Sequence, residues 1–420
     1  MTALRARSRT ANPARLRDRR FLRLAAGRAI STFGTAFGPI ALAFGVLALP
    51  GAGPGTLSVV LAGQAVPQLV LVLLGGVIGD RVPRHRVLVA GHTLAGLAWA
   101  AMAGMVATGW APLPVLTAAA ALAGTASALL LPALTSVVPD VVPRESLQAA
   151  NAWLRLSTNI ANLTGLALAG VAVAWLGPGV ALAVDAATYL LAAGLLAGLG
   201  TAGPNRLAVR KVLPDLREGL VEFARRQWVW ATVLSAAFLN AGTAAAFGVL
   251  GPVLAEQRLG GAVPWSLVMM GYTAGMLGSV VLALRWRVRR PLRSAVLLTP
   301  LLAAPLGALG LGAALPLVML AAVVSGAALS LFSVWWETTL QQHVPGGALA
   351  RVTSCNYVVA LSLKPAGMVL VGHTAAAAGA APVMLALSGL LLVAGLAPLF
   401  SPQVRQLADD TEVVDGGTVR

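Results

Sequence analysis

The chain has 420 residues, 58% of them hydrophobic and 10% charged, with 30 basic against 14 acidic residues and a formal charge of +16. So apolar a composition excludes a soluble globular protein and describes a polytopic helical membrane protein. The positive charge falls in short clusters between apolar runs rather than on one domain, which excludes nucleic acid as a partner and follows the pattern of loops on the cytoplasmic side of a membrane.

Residues 1–20, MTALRARSRTANPARLRDRR, read as a basic cytoplasmic tail, because the apolar run behind them is too long for a cleaved signal peptide. A span needs about 20 apolar residues. Six candidates follow at 21–49, 56–79, 87–109, 113–138, 147–175 and 178–200, giving an N-terminal six-helix bundle over 21–200. GAGPG at 51–55 and LGPG at 176–179 are turn chemistry between them. The 201–227 linker contains PDLREGLVEFARR, which sets Leu213, Leu216, Leu220 and Phe223 at helical spacing. That predicts an amphipathic helix on the cytoplasmic face, either a plain tether or a regulatory element. Six more spans at 228–255, 263–284, 294–313, 316–341, 349–372 and 378–400 form a C-terminal bundle over 228–400. Residues 401–420 are polar and are expected to be a disordered cytoplasmic tail.

Charge sets the sidedness. One set of connections holds the Arg-rich tail, Arg81, Arg84, Arg86, Arg144, the linker and the arginines at 285–293, while the opposite set holds almost only Glu256 and Arg258. Both termini are therefore expected on the cytoplasmic side. The basic residues are nearly all arginine, lysine standing only at 211 and 364, which points to a bacterial source and its cytoplasmic (inner) membrane.

Residues 142–170 and 344–372 resemble each other. Val142, Pro143, Leu147, Gly165, Leu168 and Gly170 recur as Val344, Pro345, Leu349, Gly367, Leu370 and Gly372, each 202 positions later (344 − 142 = 202). Each copy opens in a polar turn ahead of a long apolar run, so the chain reads as two related halves, the organisation of a secondary transporter. Gly165, Gly170, Gly367 and Gly372 are expected to let helices approach closely.

After the second span stands GGVIGDRVPRHR, residues 75–86. It resembles the loop signature of the major facilitator superfamily: Gly76, Asp80, Arg81, Arg84 and Arg86 match, Pro83 stands in place of the second glycine and His85 in place of a basic residue. The stretches at 21–44, 137–152, 184–190 and 334–354 are similar to the macrolide-efflux and siderophore-exporter branch of its drug/proton antiporters. The resemblance implies twelve transmembrane helices in two pseudo-symmetric bundles, alternating access, a pathway lined by spans one, four, seven and ten, and a loop that latches the halves, with Asp80 near 349–351. Two departures stand out. Thr35 occupies a place where relatives often carry an acid, and span five reads Gly165-Leu166-Ala167 instead of the usual Gly-Pro.

An ionisable group at membrane depth is a functional candidate. Asp185 lies about 12 Å into span six, which marks it for proton exchange or as a structural hydrogen-bond acceptor. Glu337, near the end of span ten, faces Arg351 at the start of span eleven as an ion pair closing the cytoplasmic side, or as a proton site. Arg28, about 10 Å into span one, and Arg155 at similar depth in span five have three readings. They neutralise a buried acid, receive an anionic substrate, or snorkel to the surface. Lys364 pairs with Glu256 or Asp185, or snorkels outward. Thr35, Asn162, Asn240, Thr243, Asn356 and Tyr357 are candidate hydrogen-bonding groups of the pathway, and Phe37, Trp335 and Trp336 candidate aromatic walls.

The four histidines show no ligand spacing and Cys355 is the sole cysteine, so no metal site is expected. No phosphate-binding GxxxxGK[ST] loop and no nucleophilic triad is present, so neither a cofactor nor an enzyme activity is expected. The partners expected are a small-molecule substrate, protons and the lipid bilayer, for a monomer. The reading is export of hydrophobic or amphipathic, drug-like molecules in exchange for protons. The alternatives are uncoupled or inward transport of a metabolite, and a non-transporting receptor or scramblase.

Overall fold

An apolar run in lipid has no water to satisfy its backbone, so it must bond within itself as a helix. The computed structural model describes residues 18–81, 83–200, 221–285 and 288–407; the side chains of 72–81, 144, 284, 346, 347 and 350 fall outside that description. Among the described residues twelve helices are long and apolar enough to cross a membrane. They are α1 (Arg19–Leu47), α2 (Pro54–Arg81), α3 (Arg84–Thr108), α4 (Leu113–Ser136), α5 (Leu147–Leu176) and α6 (Pro178–Ala197), then α7 (Gln227–Leu259), α8 (Ala262–Arg285), α9 (Pro291–Gly310), α10 (Leu315–His343), α11 (Arg351–Ala378) and α12 (Ala380–Phe400). Odd-numbered helices start at the end of the molecule that holds the termini, here the terminal end. Even-numbered helices start at the opposite, far end.

Proline shapes three of these helices. α1 breaks at Ala36, between helical stretches Arg19–Thr35 and Phe37–Leu47, because Pro39 has no N–H to offer the carbonyl of Thr35. α11 breaks at Leu363, between Gly346–Ser362 and Lys364–Ala378, ahead of Pro365. α7 carries π-helical turns at Ala246–Leu250 and Ala255–Leu259 on either side of Gly251-Pro252, and runs beyond the expected 255.

The two halves repeat one packing scheme. In the first, α3 lies against α6 and α2 against α4; in the second, α9 lies against α12 and α8 against α10. Lipid gives helices no hydrophobic reason to associate, so close contact through small residues does the work. Gly63 and Gly124 seat α2 on α4, and Gly275 and Gly326 seat α8 on α10. The turns repeat too: Gly177 (φ 86°) and Gly379 (φ 90°) stand 202 residues apart (379 − 177 = 202), in a backbone conformation that glycine alone adopts readily.

One peripheral expectation is revised. The tail does not become irregular at Ser401, because Pro402–Gln406 is a short helix with Val404 buried. Gln403 Oε1 accepts from the backbone N–H of Trp228 at 3.2 Å, capping the start of α7. Of the linker, 201–220 lies outside the described residues. Phe223 is buried beside Trp228 and Val229. The adjacent Glu222 bonds Arg226 at 2.7 Å and Arg225 at 3.2 Å, and the Arg226 hydrogen bond holds its carboxyl below the usual range.

Candidate functional site

The repeat glycines lie where helices touch, in matched pairs. A Cβ on Gly165 would sit 2.5 Å from the Phe33 carbonyl oxygen of α1, and one on Gly367 would sit 2.9 Å from Ala241 of α7, so each packs α5 or α11 inside its own half. A Cβ on Gly170 would sit 2.6 Å from the Ala262 carbonyl oxygen of α8, and one on Gly372 would sit 2.7 Å from that of Pro54 of α2. The second glycine of each copy thus packs across to the opposite half, at the far end. Toward the terminal end the halves part. The later segment of α11 (Lys364–Ala378) packs extensively on α2 while its first segment (Gly346–Ser362) barely touches it, and among the described residues α4 and α10 show no substantial packing on the opposite half. Among the described residues the halves thus pack together at the far end and separate toward the terminal end, where a cleft lies between them.

The faces of α5 show what borders that cleft. Trp153, Leu156, Ile160 and Leu168 form one exposed stripe, apolar except for Thr164, whose hydroxyl donates back to the Ile160 carbonyl at 2.7 Å, as lipid requires. Asn151, Arg155, Asn159 and Asn162 form a second, roughly opposite stripe that is exposed or half-exposed and wholly polar. A polar stripe at membrane depth faces a water-filled cavity rather than lipid. Counting 202 positions on, the corresponding residues of α11 include Thr353, Tyr357 and Lys364, which are exposed or half-exposed likewise. Asn162, Tyr357 and Lys364 thus stand on the polar face, and half-buried Asn356 lies beside it.

Other candidates serve the packing. Phe37 is only 3% exposed and stacks obliquely on Phe33 at 5.2 Å. Trp336 is buried edge-on against Trp228 at 5.8 Å, and Trp335 is buried with Ala295 and Leu331. These three rings fill the interior of the helix bundles instead of forming a pathway wall, because a helix apolar all round gives its large side chains several faces to occupy. Asn240 Nδ2 donates to the Ala360 carbonyl at 3.1 Å, tying α7 to α11 just before the break. Thr243 turns back onto the Leu239 carbonyl at 2.7 Å.

The buried acid has a shaped seat. Asp185 of α6 is fully buried, and neither carboxylate oxygen has a hydrogen-bond partner among the described residues. It lies against Gly34 and Gly38 of α1: a Cβ at Gly38 would fall 2.6 Å from Oδ2 and 2.9 Å from the Trp99 ring, and one at Gly34 would fall 2.9 Å from Oδ1. One turn on, the Tyr189 hydroxyl meets Thr35 Oγ1 at 2.9 Å. Thr35 spends its own hydroxyl proton on the Ser31 carbonyl at 2.7 Å, so Tyr189 is the donor between them. The His92 ring lies 5.8 Å from that of Tyr189. The glycine pair and Tyr189 escaped the sequence reading, although G-x-x-x-G inside a span signals close approach by another helix.

The remaining charges do not pair as expected. Among the described residues no ion pair joins Glu337 to Arg351, and Lys364 reaches neither Glu256 nor Asp185. Arg28 and Arg155 stand on α1 and α5, which pack against each other. Of the loop motif, the side chains of Gly76, Asp80 and Arg81 lie outside the described residues. Arg84 Nη1 donates to Asp140 Oδ1 at 2.8 Å and to the Ser136 carbonyl at 2.9 Å, tying α3 to the end of α4 within one half. Arg86 is exposed. Among the described residues no group of His, Cys, Asp and Glu is arranged to hold a metal.

Residues 21–363 match the family model of the Major Facilitator Superfamily. The Multidrug efflux pump Tap of Mycobacterium bovis (strain BCG / Pasteur 1173P2) is 26% identical over 372 residues, which cover 84% of this chain and 86% of Tap. The uncharacterized MFS-type transporter YvqJ of Bacillus subtilis is 24% identical over 275 residues, 63% of this chain and 64% of YvqJ. Among solved structures, the nucleoside transporter NupG superposes with a TM-score of 0.74 at 12% identity, covering 92% of this chain and 99% of NupG. A bacterial homologue of the human lysosomal transporter Spinster gives 0.70 at 14% identity, covering 92% and 98%.

Proposed function

The chain belongs to the major facilitator superfamily of membrane transporters, and on that footing we propose that it exports hydrophobic or amphipathic small molecules in exchange for protons. The termini face the cytoplasm of a bacterial cell across its inner membrane, so the cleft at the terminal end is the loading side. Alternation comes from the halves rocking about a site between them. The far-end seam of Gly170 and Gly372 opens, and the terminal end closes, where Asp80 latches the halves. The multidrug relative Tap supports export as the direction.

One observation carries the proton coupling: Asp185 is fully buried, with no partner for either oxygen among the described residues. An ionised carboxylate at bilayer depth costs about 3 kcal/mol, enough to shift a two-state balance by about 100-fold. A proton on Asp185 removes that cost. Any difference in hydration of the Gly34–Gly38 seat between the two states then couples the proton to the rocking motion. Tyr189, bonded to Thr35, joins the neighbouring wall of α1 to α6. The test is a substrate screen in an efflux-deficient bacterial host, with and without a protonophore. Compounds whose accumulation falls on expression and recovers with protonophore support the proposal. Efflux untouched by the protonophore would point to uncoupled transport, and raised accumulation to uptake.

A further inference from the structure

The cleft wall carries cations that no described residue neutralises. Arg28 stands nine residues into α1 (28 − 19 = 9) and Arg155 eight into α5 (155 − 147 = 8), about 13 and 12 Å from the helix starts. The contact of Gly165 with Phe33 and Ala36 fixes the register of these two parallel helices and leaves the arginines within about one turn of each other in depth. Neither guanidinium forms a hydrogen bond or ion pair with any described residue. The described acids of this half are accounted for elsewhere: Asp140 holds Arg84, Asp18 caps α1, Asp185 is enclosed by α1 and α6, and Glu145 does not reach Arg155. Across the cleft Lys364, on the α11 stripe that matches Asn162 of α5, also has no hydrogen bond or ion pair among the described residues, and Glu337 of α10 is an exposed acid on that half's terminal side. Two like charges held together with their donors unspent raise the energy of the empty site. An oxyanion relieves it, because the planar guanidinium fork matches carboxylate and phosphate oxygens.

We propose that Arg28 and Arg155 form a binding site for the anionic group, carboxylate or phosphate, of an amphipathic molecule entering the cleft, with Lys364 adding positive charge from the opposite half. The apolar stretch of the molecule lies along the neighbouring spans, and Asn159 and Asn162 continue the polar track inward. This deepens the export reading and rests on it for the cleft as the substrate's route. The same chemistry also fits the phosphate of a lipid headgroup.

Full-length protein in nanodiscs of zwitterionic phosphatidylcholine separates these cases. The probes are dansyl-undecanoic acid and its methyl ester, followed by fluorescence. The wild type is expected to prefer the acid by about tenfold or more, the scale of one charge-assisted bond. Arg28→Gln and Arg155→Gln should each weaken acid binding by about tenfold, and the double variant should bind acid and ester alike. Lys364→Gln should weaken the acid less. Acid binding that survives the double variant, or a wild type blind to the charge, overturns the proposal. A melting temperature near wild type shows that each variant is folded, and Arg155→Lys, which keeps charge but loses the fork, should restore only part of the preference. Nanodiscs containing phosphatidylglycerol then distinguish the sources. Displacement of the probe assigns the site to a lipid headgroup, and retention to a soluble amphiphile. Binding needs no gradient, so its failure is separable from failure of the export reading, which vesicle transport tests.

Discussion

Alanine at the two seam glycines should push the molecule out of its far-end-closed state. A Cβ on Gly170 would lie 2.6 Å from the Ala262 carbonyl oxygen, against an ordinary contact of 3.4 Å or more, so α5 and α8 must part by about 0.8 Å (3.4 − 2.6). The other neighbour, Ser266 Oγ, is committed to the Val263 carbonyl at 2.8 Å and yields only by losing that bond. Overpacking of this kind costs about 1–3 kcal/mol, a factor of about 5 to 150 in the balance of states. Gly372→Ala meets Ser58 and the Pro54 carbonyl in the same way and shares no partner with Gly170, so the costs should add to about 2–6 kcal/mol. Spin labels at Trp110 and Leu311, both exposed at the far end of opposite halves, report the seam in a Cys355→Ala background. Double electron–electron resonance should show one short distance in the parent and a growing longer one in Gly170→Ala, Gly372→Ala and their double. Gly165→Ala is the matched control. Its clash with Phe33 and Ala36 lies inside one half, so it should lower the melting temperature without moving the distance. An unchanged distribution in the double variant, with full transport, would refute the seam.

Trp336→Ala should destabilise the C-terminal half by about 3–5 kcal/mol, read as a lower thermal midpoint in detergent, with affinity for substrates intact. A change in affinity at unchanged stability would return this ring to the pathway. Arg84→Gln removes a pair whose side chains are 34% and 22% exposed, and should cost no more than about 1 kcal/mol, seen as a small melting shift. Asp80→Asn should impair transport while membrane insertion stays normal on a fluorescence size-exclusion profile; wild-type efflux would remove the latch.

The spans were legible because hydropathy needs only one dimension, and each helix falls within a few residues of its expected limits except α11, which ends at Ala378, six past the expected 372 (378 − 372 = 6). The halves were legible for a related reason: glycines such as Gly165 and Gly367 repeat with the helix contacts they serve. Faces were harder. In α10 apolar residues occur on every face of the helix, so nothing in the letters sends Trp335 and Trp336 inward rather than toward a cavity. On α5, by contrast, polar residues recur at 151, 155, 159 and 162, and that face is readable once the helix is assumed. The seat of Asp185 lay in two segments about 150 residues apart (185 − 34 = 151), and only the fold brings the acid to its glycines. Ion pairs were misjudged where one conformation decides them: among the described residues Glu337 and Arg351, on neighbouring helices toward the terminal end, form no ion pair with each other. The tail at 402–406 has one buried apolar residue, Val404, too weak a signal beside its polar neighbours.

The central claim is that a proton on Asp185 drives export. Purified protein in proteoliposomes, with a pH-sensitive dye on one side and a substrate from the cellular screen on the other, measures protons moved per substrate molecule. Wild type should move protons against substrate and accumulate it under an imposed pH gradient. Asp185→Asn should still exchange substrate down its own gradient while moving no protons. Substrate accumulation in Asp185→Asn that still follows the pH gradient would contradict the account.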